Sequence, residues 1–424
     1  MRTIVEPESL PLVRGRFSQA IRSDPLVFVA GLIASDFKTG LDPSVEISPG
    51  FPYYGLAIKR QTEFTLQLQE RVARAAGTSL ERAAHVWSLL TDVREFALVE
   101  EARRGFLDSQ ALPATSTFGV CELAARGARI EIDAILAAPD AAREVIAVQQ
   151  TARPTPAFGT SQAVRVGPFV FVSSQAATDL ENGIATEARV DPGFPYFASN
   201  VKRQAEYILR RMGVILGEAG GSLAHVVKAQ IFLEDLGDFP ELEEVWQAFF
   251  PHDPPARSVI PAALALPGSV VEINAIAIVP DGHMYKETVH TDRAPCPAMH
   301  EPQAIKAGPF VFLSQLLATD YAHGVAPAAR VDPEFPYSSS GVKRQLAYIF
   351  ENADAILQAA GSSIKHLVRR QAYLSTFPDV FPAAREVTVA TFAPDPPPST
   401  TVSVGRDLLV PGCVFQLDAI GVEQ

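Results

Sequence analysis

Apolar and polar positions along this chain fall into two rhythms. Val201, Ala205, Ile208, Met212, Ile215 and Ala219 recur at steps of four and three, which predicts a helix with one apolar face. Gly220 and Gly221 follow and end it, glycine being the residue that takes a left-handed C-cap at least cost. Val227, Ala229, Ile231 and Leu233 then alternate, as a strand with one buried face does. A second helix is predicted over residues 240–250. Two further strands, 259–266 and 270–278, are joined by the turn pair Pro267-Gly268.

The same succession occurs three times. FPYYGLAIKRQ begins at Phe51, FPYFASNVKRQ at Phe194 and FPYSSSGVKRQ at Phe335, spacings of 143 and 141 residues. LVFVAGLIASD (26–36), FVFVSSQAATD (169–179) and FVFLSQLLATD (310–320) keep that register, as do the closing strands IEIDAI, VEINAI and FQLDAI. Repeats of this length are domains, each able to bury its own core. The expected units are 1–141, 142–282 and 283–424, each β-β-α-β-α-β-β with both helices on one face of a sheet, an α+β architecture. The Pro- and Ala-rich stretches 137–156 and 280–302 are expected to end one unit and supply the first strand of the next. The repeated Lys-Arg-Gln and Phe-Pro-Tyr are expected to meet neighbouring units.

Composition narrows the function. A formal charge of −12 argues against a nucleic-acid partner, which would need clustered Lys and Arg. No stretch approaches the 18 or so apolar residues of a membrane span, and the first residues, MRTIVEPESLPLVRG, lack the apolar core of a signal peptide. Three cysteines (Cys121, Cys296, Cys413) without CxxC spacing suggest reduced thiols and a cytoplasmic location. The eight histidines show no HxH or HExxH spacing, and no GxSxG, GxGxxG or P-loop occurs. No metal or cofactor is expected.

SQA before an apolar strand ending near SSQ, then KRQ, AGGSL, VVKAQIFLEDLGDF, PPARS and VEINAIA together resemble the RidA (YjgF/YER057c/UK114) family. The resemblance covers nearly the whole chain and is strongest over residues 157–280. It implies a chorismate-mutase-like fold, and three fused units in place of the homotrimer that single-unit members form. It also implies cofactor-independent hydrolytic deamination of enamines or imines of small carboxylated substrates, 2-aminoacrylate-like or aminomuconate-like, with release of ammonia. In that chemistry an arginine in PARS holds the carboxylate, an acid in the last strand activates water, and an aromatic before SQA lines the pocket.

Carried over residue by residue, the arginine position holds Thr115, Arg257 and Ser399 in the three units. The acid position holds Asp133, Asn274 and Asp418, and the position before SQA holds Phe17, Thr160 and Glu301. Arg257 is therefore the expected carboxylate anchor, a planar fork suited to two parallel hydrogen bonds. Ser258, Ser173, Ser174, Gln175 and His300 are expected beside it. The proton carrier is expected among Asn274, Glu301, Asp133, Asp418 and Glu243, although Asn274 orients water without accepting a proton. The competing expectation is a non-catalytic binding protein for small carboxylates. Beyond a small-molecule substrate, the expected assembly is one chain mimicking a trimer, with further dimerisation open.

Overall fold

The computed structural model describes residues 2–7, 10, 17–51, 55–107, 112–146, 159–179, 183–280 and 284–424. Parts of both expected linkers lie outside the described residues. Three six-stranded sheets follow one another along the chain, each mixed and each carrying two helices. The first contains β1 (Thr3–Val5), β2 (Ala20–Ser23), β3 (Leu26–Leu32), β4 (Ala83–Leu90), β5 (Ala114–Gly119) and β6 (Ile130–Ala137), with α1 (Ala57–Ala75) and α2 (Phe96–Phe106). The second contains β7 (Arg143–Ile146), β8 (Ala163–Val166), β9 (Phe169–Gln175), β10 (Val226–Leu233), β11 (Ala256–Pro261) and β12 (Val271–Ile278), with α3 (Asn200–Glu218) and α4 (Phe239–Phe249). The third contains β13 (Lys286–Val289), β14 (Ala304–Ala307), β15 (Phe310–Leu313), β16 (Leu367–Leu374), β17 (Ser399–Ser403) and β18 (Phe415–Val422), with α5 (Gly341–Ala359) and α6 (Phe377–Phe392).

Strand order is the same in all three sheets, and only the β4–β5, β10–β11 and β16–β17 pairs are parallel, each bridged by the second helix of its unit. Six strands replace the five expected per unit, because a short strand (β1, β7, β13) adds to the edge. The long helices start where expected. The Ser199 and Ser340 hydroxyls accept from the Lys202 and Lys343 N–H groups as N-caps. Gly220, at φ 83°, stops α3.

The central strands depart from the expected single buried face. All eight residues of β10 are buried, as are all eight of β4 and β16. Helices cover one face of each sheet, and the other two units cover the other. β5 lies against β9, β11 against β15 and β17 against β3, so contacts run from unit one to two, two to three, and three back to one. The three units close into a ring.

At the ring's axis the buried polar positions of β4, β10 and β16 meet. Trp87 Nε1 donates to Gln230 Oε1 (2.8 Å), and Gln230 Nε2 donates to Gln371 Oε1 (2.6 Å) and Asp418 (3.0 Å). Gln371 Nε2 then donates to Asp133 (2.8 Å). A buried polar network is tolerable when its members are paired, which here takes residues from all three units.

The Lys-Arg-Gln repeats work inside their own units. Lys59, Lys202 and Lys343 pair with Glu101, Glu244 and Glu386 on the second helix. Gln61, Gln204 and Gln345 donate to the turn carbonyls of Gly127, Gly268 and Gly412. The aromatic loops also differ from expectation, since Phe194, Tyr196, Phe335 and Tyr337 are exposed.

Candidate active site

Each junction of the ring brings the start of one unit's fifth strand (β5, β11, β17) to the next unit's third strand and the residue before its SQA-type segment. The three junctions are chemically unlike.

Between units two and three, Arg257 opens β11 and is fully buried. Its Nε donates to Glu301 at 2.8 Å and its Nη1 lies 2.7 Å from Glu243. The guanidinium stands over the Trp246 ring, 5.0 Å from its centroid. Sequence reasoning assigned Arg257 to a substrate carboxylate, but two carboxylates of the chain itself take that place. His300 is occupied too, its ring facing the Phe250 carbonyl and its N–H donating to Glu243. The Ser258 hydroxyl accepts from Lys228 (2.9 Å).

The expected acids of the last strands serve the axis. Asp133 accepts from Arg369 (2.9 Å), Gln371 (2.8 Å) and Thr400 (2.5 Å). Asp418 lies 3.2 Å from Lys228; burial pushes its carboxyl up, but Lys228 and Arg369 outweigh burial and hold it below the usual range. Asn274 donates to Ser116 (2.8 Å) and Gln230 (3.1 Å). With these partners, the three side chains are held by the interior of the ring.

Between units one and two, Thr115, Thr160 and Ser173 join their hydroxyls at 2.9 and 3.0 Å. Arg103 and Glu100, at the helix positions matching Trp246 and Glu243, form a buried ion pair at 2.5 Å. Glu272 accepts from Ser174 (3.0 Å), and burial raises its carboxyl to about 7. Gln175 donates to the Ser173 carbonyl.

Between units three and one lies a cavity of about 330 Å³. Its cation is Arg370, on β16. The parallel register pairs Arg370 with Ser399, just as Ala229 pairs with Arg257 in unit two. The guanidinium has thus moved one strand over and returns to the same face. Arg370 is buried; Nε (3.1 Å) and Nη2 (2.7 Å) donate to Ser399 Oγ, and Nη1 donates to Thr388 Oγ1 (3.0 Å). Burial lowers it to about 10, and among the described residues no carboxylate pairs with it. An enclosed guanidinium without an anion has the chemistry to take one.

Glu131 lines the same cavity from β6. Burial and then the nearby Asp133 carboxylate raise it to about 8, only partly opposed by a hydrogen bond from the Thr401 N–H. Burial and the neighbouring carboxylate thus favour its protonated form at neutral pH. Gly31 makes room for it: a Cβ there would collide with Glu131 Oε1 and come within 2.8 Å of Thr400 Oγ1. Phe17 and Phe381 close the sides. Phe17 occupies the position of Glu301, and Phe381, fifth residue of α6, that of Glu243 in α4. Both carboxylates that close off Arg257 are phenylalanines here.

Sequence reasoning missed Arg370 and Glu131. Glu131 stands at the second position of IEIDAI, matched by Glu272 and Gln416, two residues before the acids that were considered. A glutamate facing a glycine at position 31, where the other units carry Ser174 and Gln315, was the available signal. Arg370 had none, because its place beside Ser399 exists only once the strand register is known. Among the described residues no cluster of His, Cys, Asp and Glu could hold a metal, and no helix is long and apolar enough to cross a membrane. His283 lies outside the described residues.

The family profile of Endoribonuclease L-PSP matches residues 8–138 and 150–279. A RutC family protein of Pyrococcus abyssi is 32% identical over 136 residues, 32% of this chain and 97% of its own. A human 2-iminobutanoate/2-iminopropanoate deaminase is 33% identical over 132 residues, 31% of this chain and 88% of its own. A crystal structure of a YjgF/YER057c/UK114 family member from Mycobacterium tuberculosis has 30% identity, covering 32% of this chain and 100% of that one, with a TM-score of 0.26. Each relative thus corresponds to about one of the three units.

Proposed function

The chain belongs to the Endoribonuclease L-PSP family, with RidA-type imine deaminases among its relatives, and from that premise we propose that it is a hydrolytic imine deaminase with one working site. That site is the cleft between units three and one. The observation that carries the proposal is a buried Arg370, paired with no carboxylate among the described residues, and a buried Glu131 lining the same cavity.

The substrate is the imine, or its enamine tautomer, of a 2-amino acid. Its carboxylate sits on Arg370. The Glu131 carboxyl hands its proton to the imine nitrogen, which makes C2 electrophilic. Water adds to C2, and the Glu131 carboxylate takes the proton that water releases. Glu131 then gives its proton to the amine of the resulting aminoalcohol, the C–N bond breaks as ammonia leaves, and the hydroxyl returns a proton to Glu131 as the C–O bond becomes a carbonyl. The sum is R–C(=NH)–COO⁻ plus water giving R–CO–COO⁻ plus ammonia, with Glu131 returned to its starting state.

A carboxylate-binding protein without catalysis would need Arg370 and gain nothing from a raised Glu131, so the cavity favours the enzyme. The test generates the imine in situ with an amino-acid oxidase and follows its loss and the release of ammonia. Glu131→Gln should abolish the acceleration while carboxylate binding persists. Full activity in both Glu131→Gln and Arg370→Gln would refute the assignment.

A further inference from the structure

The cavity at the unit three–one junction carries several aromatic residues in its lining beside Arg370 and Glu131. Its volume of about 330 Å³ lies at the lower end of the range for small-molecule sites. 2-Iminopropanoate has six non-hydrogen atoms. Phe17, Phe37, Phe381 and Phe415 are the aromatic residues of the lining and offer apolar surface to a substrate that extends beyond those six atoms.

Two of these rings stand where the unit two–three junction carries Glu301 and Glu243. Replacing both acids by phenylalanine uncovers the cation beside them and gives the space next to it an apolar wall. Phe381 is braced from behind by Phe377, the two rings stacked at 4.6 Å between centroids. Phe37 is held in left-handed backbone at φ 60°, an uncommon conformation for a bulky residue and one that persists only where its surroundings impose it. Ser35 Oγ accepts from the Phe37 N–H (2.9 Å), and the Asp36 carboxylate accepts from the N–H groups of Lys38 and Thr39 (2.8 Å each). These bonds hold the backbone turn that presents Phe37, one of the residues lining the cavity.

Resting on the site assignment above, we propose that this cleft selects substrates with a large apolar side chain, branched or aromatic, over those derived from alanine or serine. The carboxylate and the C=N bond lie between Arg370 and Glu131, and the side chain fills the space among the four phenylalanines. Lys38 and Arg385, exposed at the mouth, supply the rival possibility of a second carboxylate.

Calorimetry on the full chain with 2-oxo acids, the stable products of the reaction, separates these cases. Pyruvate, 4-methyl-2-oxopentanoate, phenylpyruvate and 2-oxoglutarate are the probes. A single methylene in an apolar pocket is worth about ten-fold or more in discrimination. The 4-methyl and phenyl acids should therefore bind at least about ten-fold tighter than pyruvate, and Phe381→Ala should shrink that ratio. All four should lose binding in Arg370→Gln. Equal affinities that still depend on Arg370, or 2-oxoglutarate as the tightest ligand, would overturn the side-chain preference and leave the site in place. Binding indifferent to Arg370 would overturn both.

Discussion

Removing the Arg257 guanidinium distinguishes an internal latch from a substrate anchor. Arg257 and Glu301 side chains are both 0% exposed and the Glu243 side chain is 14% exposed. In Arg257→Met, Glu301 is left as a buried carboxyl without its cation. Breaking a buried pair from one side costs about 3–5 kcal/mol. With a urea m-value of about 3 kcal/mol per molar, the unfolding midpoint should fall by about 1–1.7 M. The cost grows with pH, as follows. Burial already raises Glu301 above its ordinary value, and losing Arg257 raises it further. A raised folded-state value means stability is fullest below the unfolded value and declines as pH rises toward the folded one. The double variant Arg257→Met/Glu301→Met should recover most of the loss, because an apolar pair of similar volume is often no less stable than the ions it replaces. Urea unfolding at pH 5 and pH 8, with imine hydrolysis measured on the same samples, reads all of this. Arg257→Met with an unchanged midpoint but no activity would refute the reasoning and restore Arg257 as the anchor.

Further expectations concern the open cleft. Glu131, at about 8, should give a hydrolysis rate that falls about ten-fold per unit above pH 8 in a pH–rate profile, and Glu131→Gln should have no such limb. Its proton is held in the folded state and lost from the unfolded state between about pH 4.5 and 8. That one group therefore subtracts up to about 1.4 kcal/mol of stability per pH unit across the window, a dependence that unfolding curves of Glu131→Gln should lack. Arg370→Gln should lower kcat/KM by about ten- to a hundred-fold, the worth of a charge-assisted contact, and Arg370→Lys should recover part. Gly31→Ser should reduce turnover at least about ten-fold with little change in unfolding midpoint. Ser174 beside Glu272 demonstrates that the backbone accepts a serine there, while the added Cβ displaces the Glu131 carboxyl from the cavity.

The sequence told most about what repeats and least about what compensates. Helix and strand rhythm, the 143- and 141-residue spacings and the order of elements are all visible in the chain, because local periodicity and duplication are written residue by residue. Comparing aligned columns then led to Arg257, since Thr115 and Ser399 stood opposite it. A column hides two physical facts. Arg370 enters the same space from a neighbouring strand, and Arg257 meets two carboxylates that lie 14 residues before it and 44 after it. Charge balance within a cleft is a property of three dimensions. Glu131 escapes notice beside Asp133 for a related reason. Both point to the same face of β6, but one is drawn into the axial network and the other ends beside a glycine with space in front of it.

The axis where Trp87, Gln230 and Gln371 meet has a consequence for how the units could assemble. Three copies of the first unit would bring three indole donors and three Asp133 carboxylates together, with neither Gln230 to accept from the indoles nor Arg369 and Gln371 to answer the acids. The third unit differs, since Arg369 and Gln371 hold the register places of Lys228 and Gln230 and could answer Asp418 from another copy. The dependence is thus lopsided: unit one relies on its neighbours for partners to Trp87 and Asp133, so it is the unit least able to assemble with copies of itself.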